Sequence, residues 1–157
     1  QTKEIKERGM NDDTGKCVEI LLVEDNEGDV FLTKRAFEKA GIVNNISVAP
    51  NGEIALEMLR GQEGYGDVPR PDLVLLDVNL PKKDGKQVLS ELKSDENLRR
   101  IPVIMLTSSN AQQDITSAYD LHASGYILKP SNIENFHRVV SAIENFWFRA
   151  VVMPSAV

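Results

Sequence analysis

Two neighbouring acids, Glu24 and Asp25, close the apolar run Val18 to Val23, and a third acid, Asp77, closes the run that starts at Leu73. Two further apolar runs stop on a hydroxyl, Thr107, and on an ammonium, Lys129. Carboxylates brought together repel one another, and a divalent cation is the usual relief. Oxygen donors suit magnesium, which keeps several waters and takes one or two carboxylates together with phosphate oxygens. On that chemistry Asp25 and Asp77 hold Mg2+ directly, Glu24 holds it through water, and the carbonyl of Asn79 adds another oxygen. Manganese or calcium can stand in for it. One Asp77 oxygen is then free to attack a phosphorus atom, while the metal, Thr107 and Lys129 stabilise charge on the transferred group.

Taken singly, each residue has an ordinary explanation. Asp77 can open a turn before Pro81, Thr107 can cap a strand end or helix, Lys129 can be a solvated charge, and Glu24-Asp25 can be a helix-start acid pair favoured by the dipole. Neither His122 nor His137 ends an apolar run, and they receive no role. No kinase-type glycine loop or Walker motif is present.

These residues meet only if the chain folds in one way. The five runs, Val18 to Val23, Ile46 to Ala49, Leu73 to Asp77, Pro102 to Leu106 and Gly125 to Leu128, are separated by helical patterns. Apolar runs without alternation read as strands buried on both faces. Asn26 caps a helix whose Val30, Thr33 and Phe37 share a face and which stops at Gly41; Asn51 caps one holding Ala55, Met58 and Leu59. Gly61 to Pro71 reads as a long surface loop. Lys82 to Gly85 is a turn before a helix with Val88, Leu89 and Leu92 inward. A fourth helix carries Ile115, Ala118 and Tyr119, and the last runs from Ile133 to about Arg149. Strict alternation predicts a doubly wound, five-stranded parallel sheet with five helices, and the order expected for it is the flavodoxin-like 2-1-3-4-5. In that order the acids after strands one and three sit about 5 Å apart.

The 157 residues suit one domain. The expected divisions are a mobile N-terminal extension, 1–16, an ordered domain, 17–149, and a tail, 150–157. A net charge of −6 with scattered basic residues argues against nucleic acid as a partner. Cys17 is the only cysteine, so no internal disulfide forms and a reducing compartment is expected. No apolar run is long enough to span a bilayer and residues 1–16 are unlike a signal peptide; the expectation is a cytoplasmic protein that does not engage membranes.

Together, Glu24-Asp25, the strand Leu73 to Asp77 with Pro81 and Asp84-Gly85 after it, Thr107, and Lys129-Pro130 resemble the receiver domain of bacterial two-component response regulators, over Cys17 to Arg149. The resemblance implies that Asp77 accepts a phosphoryl group from a phosphohistidine on a sensor histidine kinase. It implies metal binding by Asp25, Asp77 and the Asn79 carbonyl, with Thr107 and Lys129 on the phosphoryl oxygens. It further implies a switch in which Thr107 moves toward the phosphate and Tyr126 turns inward; by itself Tyr126 reads as a half-buried strand tyrosine. One departure is Glu24, where the family more often has Asp, and the longer side chain still reaches through water. The loop Gly61 to Pro71 and the ending Ile143 to Trp147 with Val151 to Pro154 are similar to single-domain regulators of cyanobacterial phytochromes, which would make the kinase a light sensor.

Two other classes stay open. A phosphatase with an aspartyl-phosphate intermediate would want an acid two residues after the nucleophile, where Asn79 stands. A flavodoxin-like cofactor module would want a phosphate-cradling loop after the first strand, where the chain has acids. The chain ends soon after the fifth helix, so a stand-alone module signalling through protein contacts is expected, without enzymatic activity beyond its own phosphoryl transfer and loss. Ile133, Phe136, Val140, Ile143 and Trp147 form one stripe of the last helix with Val139, Ala142 and Phe146 beside it. That apolar arc covers about half the circumference, against about 100° for a core-facing helix. A homodimer through Phe136, Val140, Ile143, Phe146 and Trp147 is expected, unless the tail folds back over the aromatics. In sedimentation equilibrium the parent chain should be a dimer that Phe146→Ala and Trp147→Ala weaken; a monomeric parent removes the expectation.

Overall fold

The computed structural model describes residues 17–41, 43–62, 64–78, 80–107, 123 and 125–128. The apolar runs form β1 (Val18–Val23), β2 (Asn44–Ala49), β3 (Leu73–Asp77), β4 (Val103–Thr107) and β5 (Gly125–Leu128). All pair in parallel, as the alternating pattern predicts, and in the expected flavodoxin-like order β2-β1-β3-β4-β5. The helices between them are α1 (Glu27–Lys39), α2 (Gly52–Leu59) and α3 (Gly85–Ser94). The two helices expected after β4 and β5 lie outside the described residues, as do the residues assigned to the dimer contact and the 1–16 and 150–157 segments.

Strand alternation splits the core into two layers. Leu21, Val23, Val74, Leu76, Val103 and Met105 face α2 and α3, meeting Leu56, Val88, Leu89 and Leu92. Ile20, Leu22, Leu73, Leu75, Ile104 and Leu106 face the other way, toward Ala36 and Phe37 of α1. Burial on both faces is why these strands lack polar alternation.

Local chemistry sets the boundaries. The Asn26 side chain accepts from the Asp29 N–H at 2.9 Å and the Asn51 side chain from the Ile54 N–H at 2.9 Å. Asp84 and Gln87 form a reciprocal capping box, at 3.0 and 3.2 Å. Gly41 follows α1 with φ of 76°, a conformation that favours glycine. β2 starts at Asn44, two residues before the sequence pattern suggests, because Val18 donates to the Val43 carbonyl and the full length of β1 recruits Asn44 and Asn45. β4 starts after Pro102, which has no N–H to give, although its carbonyl accepts from Val74 at 3.0 Å.

The loop after α2 is more than a surface connection. Two of its three glycines do turn with positive φ, 63° at Gly61 and 89° at Gly64. Yet Tyr65 and Val68 pack against the core and Pro71 is buried. Arg70 donates to the Asn97 carbonyl at 2.8 Å, joining this loop to the α3–β4 loop, whose Leu98 and Ile101 are also buried. Lys93 fastens that second loop by donating to the carbonyls of Arg99 and Ile101 at 2.9 and 2.8 Å.

Burial lowers the Lys93 ammonium below the usual lysine range. The unfolded chain therefore holds that proton more tightly, and stability rises as pH climbs from the folded value toward the ordinary one. Lys93→Met should lose about 1–2 kcal/mol in urea unfolding at neutral pH, because two carbonyls lose their donor, and should flatten that alkaline rise.

Candidate functional site

The register between β1 and β3 builds the site. Val23 lies opposite Leu76, so Glu24 and Asp77, the next residues on each strand, leave the sheet at one level. Asp77 pairs with Leu106 on its other side, which puts Thr107 one step beyond it at the end of β4. Thr107 in turn pairs with Leu128, the residue before Lys129.

One carboxylate oxygen from each of Glu24, Asp25 and Asp77 lies within 4.8 Å of the others. The expected spacing of the acids is thus realised. Glu24 is 3% exposed and Asp77 4%, whereas Asp25 is exposed. A Glu24 oxygen accepts from the Asn26 N–H at 3.2 Å, which steers the longer side chain back toward the start of α1. The positive end of that helix favours acids at this position. Even so, two unit charges at such separations repel by about 3–4 kcal/mol at an effective dielectric of 20. An all-oxygen set with two buried carboxylates and one open to water fits a hard divalent cation that retains water ligands.

Thr107 ends β4 and Tyr126 lies within β5; their side chains, and all of Asn79 and Lys129, lie outside the described residues.

Two glycines that the residue-by-residue chemistry left without a role prove structural. At Gly85 an added Cβ would collide with the Asp77 carbonyl oxygen and come within 2.8 Å of the Val78 Cα. The first turn of α3 is therefore seated on the backbone of the site, and the Gly85 N–H donates to the Val78 carbonyl at 2.9 Å. At Gly52 the same atom would lie 2.6 Å from the Lys83 carbonyl oxygen and 2.5 Å from Val88, so α2 closes on the turn that follows Asp77. Glycine at a helix start is otherwise a weak choice, which is the signal that could have exposed both.

Within that turn Lys82 has φ of 67°, and Lys83 donates to the Pro81 carbonyl at 2.8 Å. An i to i+2 hydrogen bond around a left-handed residue is the strained γ-turn arrangement, and such strain costs on the order of 1–3 kcal/mol. Lys83 reaches Glu91 at 2.5 Å, and that hydrogen bond holds the Glu91 carboxyl below the usual carboxylate range.

A parallel sheet of this order with three carboxylates gathered at the ends of its first and third strands is the receiver arrangement. The chain belongs to the response regulator receiver domain family, whose pattern matches residues 20–141. Among its relatives is the response regulator Rcp1 of Synechocystis sp. strain PCC 6803, 39% identical over 147 residues that span 94% of this chain and 100% of the relative. The crystal structure of the phosphorylated cyanobacterial phytochrome response regulator RcpA superposes with a TM-score of 0.84 at 42% identity, covering 88% of this chain and 99% of that one. The Mn2+-bound form of Rcp1 gives 0.81 at 39% identity over 88% and 99% of the two chains. The chain is thus the receiver of a two-component response regulator related to the phytochrome response regulators. Among the described residues no helix is long and apolar enough to cross a membrane.

Gly85→Ala tests the seating of α3. In a helix interior this change stabilises by about 1 kcal/mol; here, at the first helical position and against the Asp77 carbonyl, it should destabilise by about 1–3 kcal/mol in urea unfolding, the range of an overpacked core.

Proposed function

We propose that this receiver is the phosphoryl acceptor of a two-component phosphorelay and that Asp77 is the accepting residue. The observation that carries the reading is the nearly complete burial of Asp77 within 4.8 Å of the Glu24 and Asp25 carboxylates. One oxygen of Asp77 attacks the phosphorus of a phosphohistidine, the P–N bond breaks, and the imidazole leaves with the electron pair and takes up a proton. Water later attacks the same phosphorus, returning the carboxylate and inorganic phosphate. Asp25 and Asp77 would hold Mg2+ directly, with Glu24 acting through water and Asn79 through its carbonyl. When bound, the ion would supply charge neutralisation for the carboxylates and the incoming phosphoryl oxygens. Lys129 and Thr107 meet those oxygens, and Thr107 with Tyr126 carries the switch. Relatedness to phosphorylated RcpA and Mn2+-bound Rcp1 supports both the acceptor and the ion.

The donor on this reading is a sensor histidine kinase, and the same relatives favour a phytochrome as its sensory part. The protein acts in the cytoplasm, turns over no separate substrate, and passes its signal on by protein contacts, with a homodimer through the last helix.

Acetyl phosphate with Mg2+, followed by intact mass measurement, tests this. One hydroxylamine-labile phosphoryl group should appear on the parent, persist for minutes, and be absent from Asp77→Asn and from chelator-treated protein. A parent that never gains the group defeats the reading.

A further inference from the structure

The turn after Asp77 is gripped through its backbone by two helices. Gly85 bears on the Asp77 carbonyl and Gly52 on the Lys83 carbonyl. Between those grips Lys82 keeps a left-handed backbone that a residue with a Cβ disfavours. Among the described residues the remaining restraints are ionic: Lys82 Nζ lies 4.0 Å from Glu53 of α2, both side chains largely exposed, and the closer set converges on Glu91. Its Oε2 lies 2.5 Å from the Lys83 Nζ, and its Oε1 lies 3.5 Å from Arg60 at the end of α2. Arg60 also faces Asp95, at 3.8 Å, just past α3. Glu91 therefore ties the turn to the far ends of both helices that grip it.

We propose that Glu91 is a positioning residue for the chemistry at Asp77, acting through Lys83 to hold the turn and the backbone that borders the carboxylates. The inference rests on the reading of Asp77 as acceptor, and it assigns a role to side chains outside the acidic trio. The pair is partly exposed, 28% for the Lys83 side chain and 37% for Glu91, and pairs of that kind add little to global stability. Its effect falls on geometry instead, because a site loosened slightly by a lost support loses ion affinity and reaction rate together.

The test compares the parent chain, Glu91→Gln, Lys83→Met and the double variant. Mn2+ affinity is read by electron paramagnetic resonance, phosphoryl uptake from acetyl phosphate by intact mass, and stability by urea midpoint. Glu91→Gln should weaken Mn2+ binding and slow uptake by about tenfold while the urea midpoint stays near that of the parent. Lys83→Met should reproduce this, and the double variant should be no worse than either single one, since the two act as a unit. Parental Mn2+ affinity and uptake in Glu91→Gln overturns the proposal, as do effects that simply multiply in the double variant. A parent that binds Mn2+ but never gains a phosphoryl group defeats the acceptor reading alone, because the Mn2+ comparison still decides the role of Glu91. A parent that takes up neither overturns both.

Discussion

A slip of one residue between β1 and β3 would turn Asp77 to the opposite face of the sheet, away from Glu24 and Asp25. The pairing of Val23 with Leu76 therefore decides whether the protein has a site at all. At the other end of the pair the register is pinned by a polar clasp. The Asp72 N–H donates to the Glu19 carbonyl at 2.7 Å, and the Asp72 carboxylate accepts from the Glu19 N–H at 2.9 Å. Between clasp and site the strands are apolar on both faces, so a slip would also disturb two packed layers. Hydrophobic burial here does positional work: it fixes where three repelling carboxylates emerge.

The fold was legible because each element carries its own signal. Mostly apolar runs gave the strands, Asn26 and Asn51 gave helix starts, and alternation gave the parallel, doubly wound class of sheet. Of the site, Glu24, Asp25 and Asp77 could be read because each ends such a run. What escaped the sequence reading depends on contacts between segments distant in the chain. Nothing local distinguishes Val68, Leu98 or Ile101 from loop residues, yet they complete the core. Lys82 carries no mark of its left-handed backbone, since the turn that demands it is set by Gly85 meeting Asp77 from outside. The burial of Glu24 likewise follows from packing, as composition would place both members of an acid pair in water.

That burial divides the labour between neighbours. Glu24 is drawn inward and bonded back to Asn26, while Asp25 faces solvent. The glutamate that departs from the commoner aspartate thus has its extra methylene taken up in reaching the cap of α1, and the shorter Asp25 stays at the surface. The glutamate fits here because the chain turns into a helix two residues later.

The seating of Gly85 on the Asp77 carbonyl has a mechanical meaning. α3 cannot slide along β3 without driving its first residue into the strand, and α2 is wedged behind the same turn through Gly52. One flank of the sheet is thereby a fixed abutment. On its other side Asp77 meets no such wedge, only the paired strand: Leu106 and then Thr107 of β4, which lies beside Leu128 of β5.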